Sequence, residues 1–218
     1  AMFSVRGKAL YTKMDFLFKM IGEILNSSKL EDTKRLYEIV ASVKSRAQVN
    51  LTGAGHSTAV LRAAAYSSPM AAFQDEMAGI GYYQFIEKLE KDFEQRKEET
   101  VEELCKLMKK ILRPENFMIS YTGERESLET VQKLAGAVKA GLGTEPVEKS
   151  KEKLTCTKKN EGFKTSGQVQ YVAQTGNFKK KGLEYTGALE ILKVILSYDY
   201  LWMNLRVKGG AYGCMSGF

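Results

Sequence analysis

Between Tyr185 and Leu205 the chain carries apolar side chains on nearly every face a helix could present, among them Leu189, Ile191, Leu192, Val194, Ile195, Tyr198, Leu201, Trp202 and Leu205. A helix that is apolar all round is stable when covered on more than one side, so this stretch is expected to be core. The chain continues as Leu205-Arg-Val-Lys-Gly-Gly-Ala-Tyr-Gly213. The adjacent Gly209 and Gly210 admit backbone angles that other residues reach only at a cost, with Arg206 just before them and Tyr212 just after. Beyond Tyr212 the run Gly-Cys-Met-Ser-Gly-Phe reads as the start of a strand. A buried helix, a glycine hinge and a strand in its first residues lead to the expectation that these residues belong to a longer polypeptide.

The preceding residues read mainly as helices. Asp15 opens one to about Asn26, with Phe16, Leu17, Met20, Ile21, Ile24 and Leu25 inward. Asp32 is placed to cap a second through Gln48, on which Leu36, Ile39, Val40 and Val43 recur at helical spacing. An alanine-rich run from His56 to Tyr66 suits close packing, and Ser67-Ser68-Pro69 starts a further helix that Gly79 and Gly81 interrupt. Lys, Arg and Glu crowd Glu87 to Glu103, as on a solvated helix face. An amphipathic helix then runs to Pro114, which cannot continue it, and Ser127 to Leu142 forms another.

Three stretches read as strands instead. Phe3 to Leu10 alternates apolar and polar residues, the period of a half-buried strand, Phe163 to Phe178 alternates well enough for a strand or hairpin, and Phe117 to Thr122 (Phe-Met-Ile-Ser-Tyr-Thr) reads as a strand closed by Gly123. Residues 144–162, rich in Thr, Glu, Pro, Lys and Ser, read as a linker. The expected fold class is therefore α+β, helix-rich with an antiparallel sheet flanked by helices, divided into 1–143, a linker 144–162, and 163–218.

Composition excludes more than it assigns. The 218 residues are 44% hydrophobic with three prolines, normal for a globular chain. Glu190, Lys193 and Asp199 interrupt the best candidate for a membrane span, so no membrane association is expected. Nor do the opening residues resemble a secretory leader. Three scattered cysteines, Cys105, Cys156 and Cys214, indicate neither a disulfide framework nor a metal knuckle, which favours a cytoplasmic setting. Net charge +7 mixes 33 basic with 26 acidic residues and no long basic block, so nucleic acid is not an expected partner. A basic nucleic-acid module and a helical interaction scaffold are the alternative functions.

No complete catalytic set is present. A zinc peptidase needs paired histidines and an acid in H-E-x-x-H or H-x-x-E-H order, whereas this chain has one histidine, His56, with no acid within a turn. Gly-x-Ser-x-Gly elbows and Gly-rich phosphate loops are missing too. Arg206 and Tyr212 remain: a guanidinium fork can hold a peptide carbonyl or carboxylate, and a phenol can donate to an oxygen on which charge develops. From the residues alone, Arg206 could equally answer the carbonyl end of its own helix, with Tyr212 packed at a strand start.

The run from Tyr200 to Gly213 closely resembles the C-terminal-half motif of the pitrilysin/insulinase family of inverted-zincin metalloproteases, specifically its presequence-protease branch. Phe3 to Leu10 with its following helices, and Pro114 to Gly123, are similar to that branch's third domain. The resemblance implies two bowl-like halves, each of two related α+β domains, closing around a chamber where unstructured peptides are cut. Zinc and the catalytic glutamate would belong to an N-terminal half of the same polypeptide. Residues 1–143 would be the later part of the third domain and 163–218 the beginning of the fourth, inactive alone and holding no metal. By motif match Arg206 and Tyr212 would bind substrate near the scissile bond. Open strand edges near Phe163 to Phe178 would invite self-association.

Overall fold

The computed structural model describes residues 3–147, 153–165 and 167–218, and every regular element in them is helical. Eight α-helices occur among these described residues: α1 (Met14–Ser27), α2 (Thr33–Gly53), α3 (Gly55–Ala65), α4 (Pro69–Ala78), α5 (Ile80–Lys91), α6 (Phe93–Ile111), α7 (Leu128–Ala140) and α8 (Ala188–Ile195). A π-helix, Leu196–Lys208, continues α8. The chain forms two compact units, Ala1–Ala173 and Gln174–Phe218. Of the expected linker 144–162, residues 148–152 lie outside the described residues.

The helix boundaries follow their caps. Asp32 accepts from the Arg35 amide at 2.9 Å to start α2, and Ser68 accepts from the Ala71 amide at 3.4 Å to start α4, with Pro69 in the first turn. Pro114 closes the run that α6 began.

Two apolar clusters hold the larger unit. In one, Met14 and Phe18 of α1 meet Val131, Ala135 and Val138 of α7, with Ile21, Leu25 and Leu134 beside them. In the other, Val40 of α2 meets Ile86 and Leu89 of α5 and Phe93 at the start of α6. Phe93 is 1% exposed and lies 5.4 Å, centroid to centroid, from the Tyr37 ring. Lys44 and Glu90 close the same α2–α5 seam at 2.6 Å.

The α+β expectation is overturned: among the described residues there is no strand and no sheet. The backbone is locally extended where strands were expected, as at Leu10 (φ −66°, ψ 151°), Phe117 (φ −76°, ψ 123°) and Asn177 (φ −108°, ψ 94°). A strand, however, is defined by a ladder of hydrogen bonds with a partner, and among the described residues none of these segments has one. The apolar residues of 117–122 serve another end. Phe117 and Tyr121 share a face and pack on the α1–α7 cluster, while Met118 is exposed. Without strands there is no sheet edge among the described residues, so the self-association expected at 163–178 loses its basis.

Helices α3, α4 and α5 meet around a buried charge. Asp75 of α4 is 2% exposed, and its carboxylate accepts from the amides of Ile80 (3.0 Å) and Gly81 (3.1 Å) at the start of α5 and from Arg62 Nη1 of α3 (2.6 Å). The first amides of a helix lack intrahelical partners and carry the positive end of its dipole, so a carboxylate there satisfies both. Gly79 and Gly81 make the approach sterically feasible. A Cβ at Gly79 would collide with Asp75 Oδ1 and lie 2.9 Å from its Cα, and one at Gly81 would lie 2.9 Å from Oδ2.

The opposite edge of Arg62 engages the segment 153–173. Its Nε and Nη2 donate to Glu161 at 2.8 and 3.3 Å, the Tyr66 hydroxyl donates to the same carboxylate, and the Phe163 ring centroid lies 5.7 Å from the guanidinium carbon. The Arg62 contact holds the Glu161 carboxyl below the usual carboxylate range. Hydrogen bonding to Glu161 raises Arg62 further above its already high value, and burial, reinforced by donation to Glu161, pushes the Tyr66 phenol up.

Three outcomes are expected. Phe93→Ala, which empties a fully enclosed site, should cost about 4 kcal/mol in urea unfolding. Gly79→Ala, forced against Asp75, should cost about 2 kcal/mol. Because the folded pKa of Glu161 is depressed, its contribution is complete above the ordinary glutamate value near 4.3 and is lost as pH falls through the lower folded value. The stability gap between the parent chain and Glu161→Gln should therefore be full at about pH 6 and shrink progressively as pH falls below about 4.

Candidate functional site

The smaller unit consists of a short turn at Phe178–Lys181, then α8, the π-helix and the residues after it. Tyr185 donates to Glu190 at 2.7 Å and Lys193 pairs with Glu190 at 3.4 Å, fixing the approach to α8. The Tyr185 hydrogen bond, followed by the charge of Lys193, holds Glu190 below its ordinary value, and the same bond raises the Tyr185 phenol.

The expectation of a buried helix over 185–205 does not hold in this chain. No residue of α8 or of the π-helix is buried, and Ile191 and Tyr198 are 66% and 68% exposed. An all-round apolar pattern states how much cover a helix requires, and here large side chains such as Ile191 and Tyr198 stand exposed.

The π-helix runs for 13 residues, well beyond the single-turn bulges in which this geometry usually occurs. At its end two nested backbone bonds reverse the chain: Gly210 N–H donates to Arg206 O at 3.0 Å and Ala211 N–H to Leu205 O at 2.9 Å. Each spans one residue more than its counterpart in the Schellman motif, as the wider turn requires. The two glycines have separate roles. Gly210 takes φ +72°, the left-handed region, whereas a Cβ at Gly209 would lie 2.7 Å from Leu205 O. The returning chain is tied back by a 2.9 Å hydrogen bond between the Ser197 and Ser216 hydroxyls and an edge-on contact of Phe178 with Phe218, centroids 6.4 Å apart.

This reversal brings Arg206 and Tyr212 together. The Arg206 guanidinium carbon lies 4.7 Å from the Trp202 ring centroid and 5.7 Å from that of Tyr212. Arg206 is half-buried, and Tyr212 is 93% exposed. Near the helix end the Leu205 and Arg206 carbonyls accept from backbone amides. Among the described residues no side-chain acceptor meets the Arg206 N–H groups or the Tyr212 hydroxyl. Two aromatic faces thus orient a planar cation by cation–π attraction and leave its hydrogen-bonding edge, together with an adjacent phenol, free for an oxygen acceptor.

Sequence reasoning misses Trp202, which reads there as one more apolar residue of a core helix. Its place four residues before Arg206 is the available signal. The Arg62–Asp75 pair has only the two interrupting glycines to announce it. His56 makes a tilted ring contact with Tyr171, centroids 6.3 Å apart. Among the described residues no three His, Cys, Asp or Glu side chains converge as metal ligands would, so they do not fit a zinc centre. Cys105, Cys156 and Cys214 are free and half-buried. None of the described helices is long and apolar enough to cross a membrane.

Both ends of the chain match known families. Residues 1–89 match the family model of a peptidase-associated domain, and residues 160–218 match the PreP C-terminal domain. The chain is 36% identical over 211 residues to Protein HypA of Clostridium perfringens, covering 97% of this chain and 22% of that protein. It is 28% identical to Presequence protease 1, chloroplastic/mitochondrial, of Arabidopsis thaliana, covering 96% of this chain and 19% of the relative. To the mitochondrial presequence protease of Yarrowia lipolytica it is 26% identical, with 97% and 22% covered. The chain thus spans about a fifth of the length of these relatives. With family matches at both ends and presequence proteases among the relatives aligned across nearly all its residues, the chain belongs to the pitrilysin/insulinase family, in its presequence-protease branch.

Proposed function

We propose that this chain is a non-catalytic, C-terminal-half part of a zinc-dependent peptidase that degrades unstructured peptides, contributing chamber wall and substrate positioning. Its partners are then the N-terminal catalytic half of the same polypeptide and the peptide itself. Zinc would be held in that other half. In this reading 1–143 correspond to the later part of the family's third domain and 163–218 to the beginning of the fourth. The cytoplasmic address rests on cysteine usage alone; the organelle names belong to the relatives.

One observation carries the reading. Arg206 and Tyr212 project from the two sides of a reversal at the end of the π-helix, with no side-chain acceptor of their own among the described residues. A peptide carbonyl presents the oxygen lone pairs that a guanidinium edge and a phenolic hydroxyl can share, and both donors strengthen as charge builds on that oxygen. Trp202 beside the guanidinium limits its freedom, so less orientation remains to be fixed when a peptide binds.

The test uses the longer polypeptide that carries these residues together with a zinc-binding half. Arg206→Lys, which loses the planar fork, and Tyr212→Phe, which loses one hydroxyl, should each lower kcat/KM on an unstructured peptide by about a hundredfold, near 3 kcal/mol. Zinc content and thermal unfolding should be unchanged. Full peptidase activity in both variants would overturn the reading. The 218-residue chain by itself should cleave no peptide and should restore cleavage when added to the separately expressed catalytic half.

A further inference from the structure

The segment 153–173 lies against α3 without any regular structure among its described residues. All of these are exposed except Cys156 and Ala173, which are half-buried. Val169 and Val172 are 58% and 85% exposed, so apolar burial contributes little to its attachment. A small set of side chains fixes it instead. Glu161, with its side chain about one quarter exposed, takes the Nε and Nη2 edge of Arg62 and the Tyr66 hydroxyl. Phe163 lies beside the same guanidinium, and Tyr171 lies beside His56, close enough to Gly55 that a Cβ there would collide with its ring.

Arg62 therefore has two carboxylate partners of different kinds. Asp75 is 2% exposed and is locked by the Ile80 and Gly81 amides, so it cannot leave while α4 and α5 are folded. Glu161 comes from a segment with no backbone ladder and can leave without disturbing a helix. Lys159 also faces Glu161, at 3.8 Å from a more exposed position. Because Asp75 keeps the guanidinium in place after Glu161 departs, the receiving site persists in the released state.

We propose that the described residues of 153–173 form a releasable strap, and that Arg62 is its clasp, anchored permanently by Asp75 and closed by Glu161. The clasp joins residues of the two regions matched to family models, since Arg62 and Asp75 fall in residues 1–89 and Glu161 in residues 160–218. The clasp fastens one matched region to the other through side chains alone. It stands on the geometry of the larger unit and is independent of the peptide-holding role of Arg206 and Tyr212.

Limited trypsin digestion of the 218-residue chain tests it, because Lys158, Lys159 and Lys164 are exposed strap residues on either side of Glu161. Cleavage of a segment that must lift off tracks the population of its open form. Glu161→Gln, which keeps the side-chain shape and removes the charge, should speed cleavage after Lys159 and Lys164 about tenfold, the scale of one charge-assisted contact. Cleavage after Lys106 within α6 should stay within about twofold, which separates strap release from global loosening. Arg62→Lys should act in the same direction, and the double variant should exceed the faster single variant by no more than about twofold, as for two halves of one contact. Equal acceleration at Lys106, unchanged strap cleavage in Glu161→Gln, or additive effects of the two substitutions would each overturn the proposal.

Discussion

The larger unit depends on one carboxylate that water hardly reaches. An isolated buried charge costs several kcal/mol, and breaking a buried pair leaves that cost exposed. Asp75 avoids it by accepting two amides from the start of α5 and one guanidinium edge from α3. Those three contacts join α3, α4 and α5 at the abrupt turn around Gly79, a junction that apolar packing alone would not define. Ala65, Ala71 and Ile80 complete the packing there, two of them with small side chains, and Arg62, held straight by Asp75, reaches Glu161 on its other edge. The polar contact sets geometry and the apolar clusters supply most of the stabilisation, a division consistent with how little net free energy buried ion pairs contribute.

Sequence periodicity recovers the helices of the larger unit because their inward faces repeat at the helical period and their starts carry capping residues, Asp32 and Ser68 being two that make the expected bonds. It fails for the strands for a physical reason. Strand-like residue patterns favour an extended backbone that can turn apolar side chains inward, and at 117–122 Phe117 and Tyr121 do pack inward. Whether such a segment becomes a strand is decided by a second backbone at ladder distance, a property of the neighbour and not of the segment. The Asp75 site is illegible for a related reason. An aspartate inside a helical run reads as a solvated position, and only the approach distances at Gly79 and Gly81 reveal why glycine stands there.

At the C-terminal end the motif around Arg206 and Tyr212 is legible through family resemblance, whereas its mechanical basis is not. Two neighbouring glycines look like a flexible joint. In the structure they form a fixed cap, one chosen for a left-handed φ and the other for lack of space. An all-round apolar run also reads Trp202 as one more core residue, where its ring instead lies beside the guanidinium four residues on.

Arg62 and Arg206 show how the same side chain acquires opposite roles. Each has aromatic rings within cation–π range, Tyr66 and Phe163 for the first, Trp202 and Tyr212 for the second. What separates them is the state of the five N–H donors. Arg62 spends its fork on Asp75 and Glu161, both anionic, so an incoming ligand would have to displace a charge-assisted pair before gaining anything. Arg206 has rings to orient it and no carboxylate to satisfy it among the described residues, so its N–H donors are preoriented and exchange hydrogen bonds with water alone. Ring contacts position both arginines, and the presence or absence of a neighbouring anion determines whose N–H donors are already engaged.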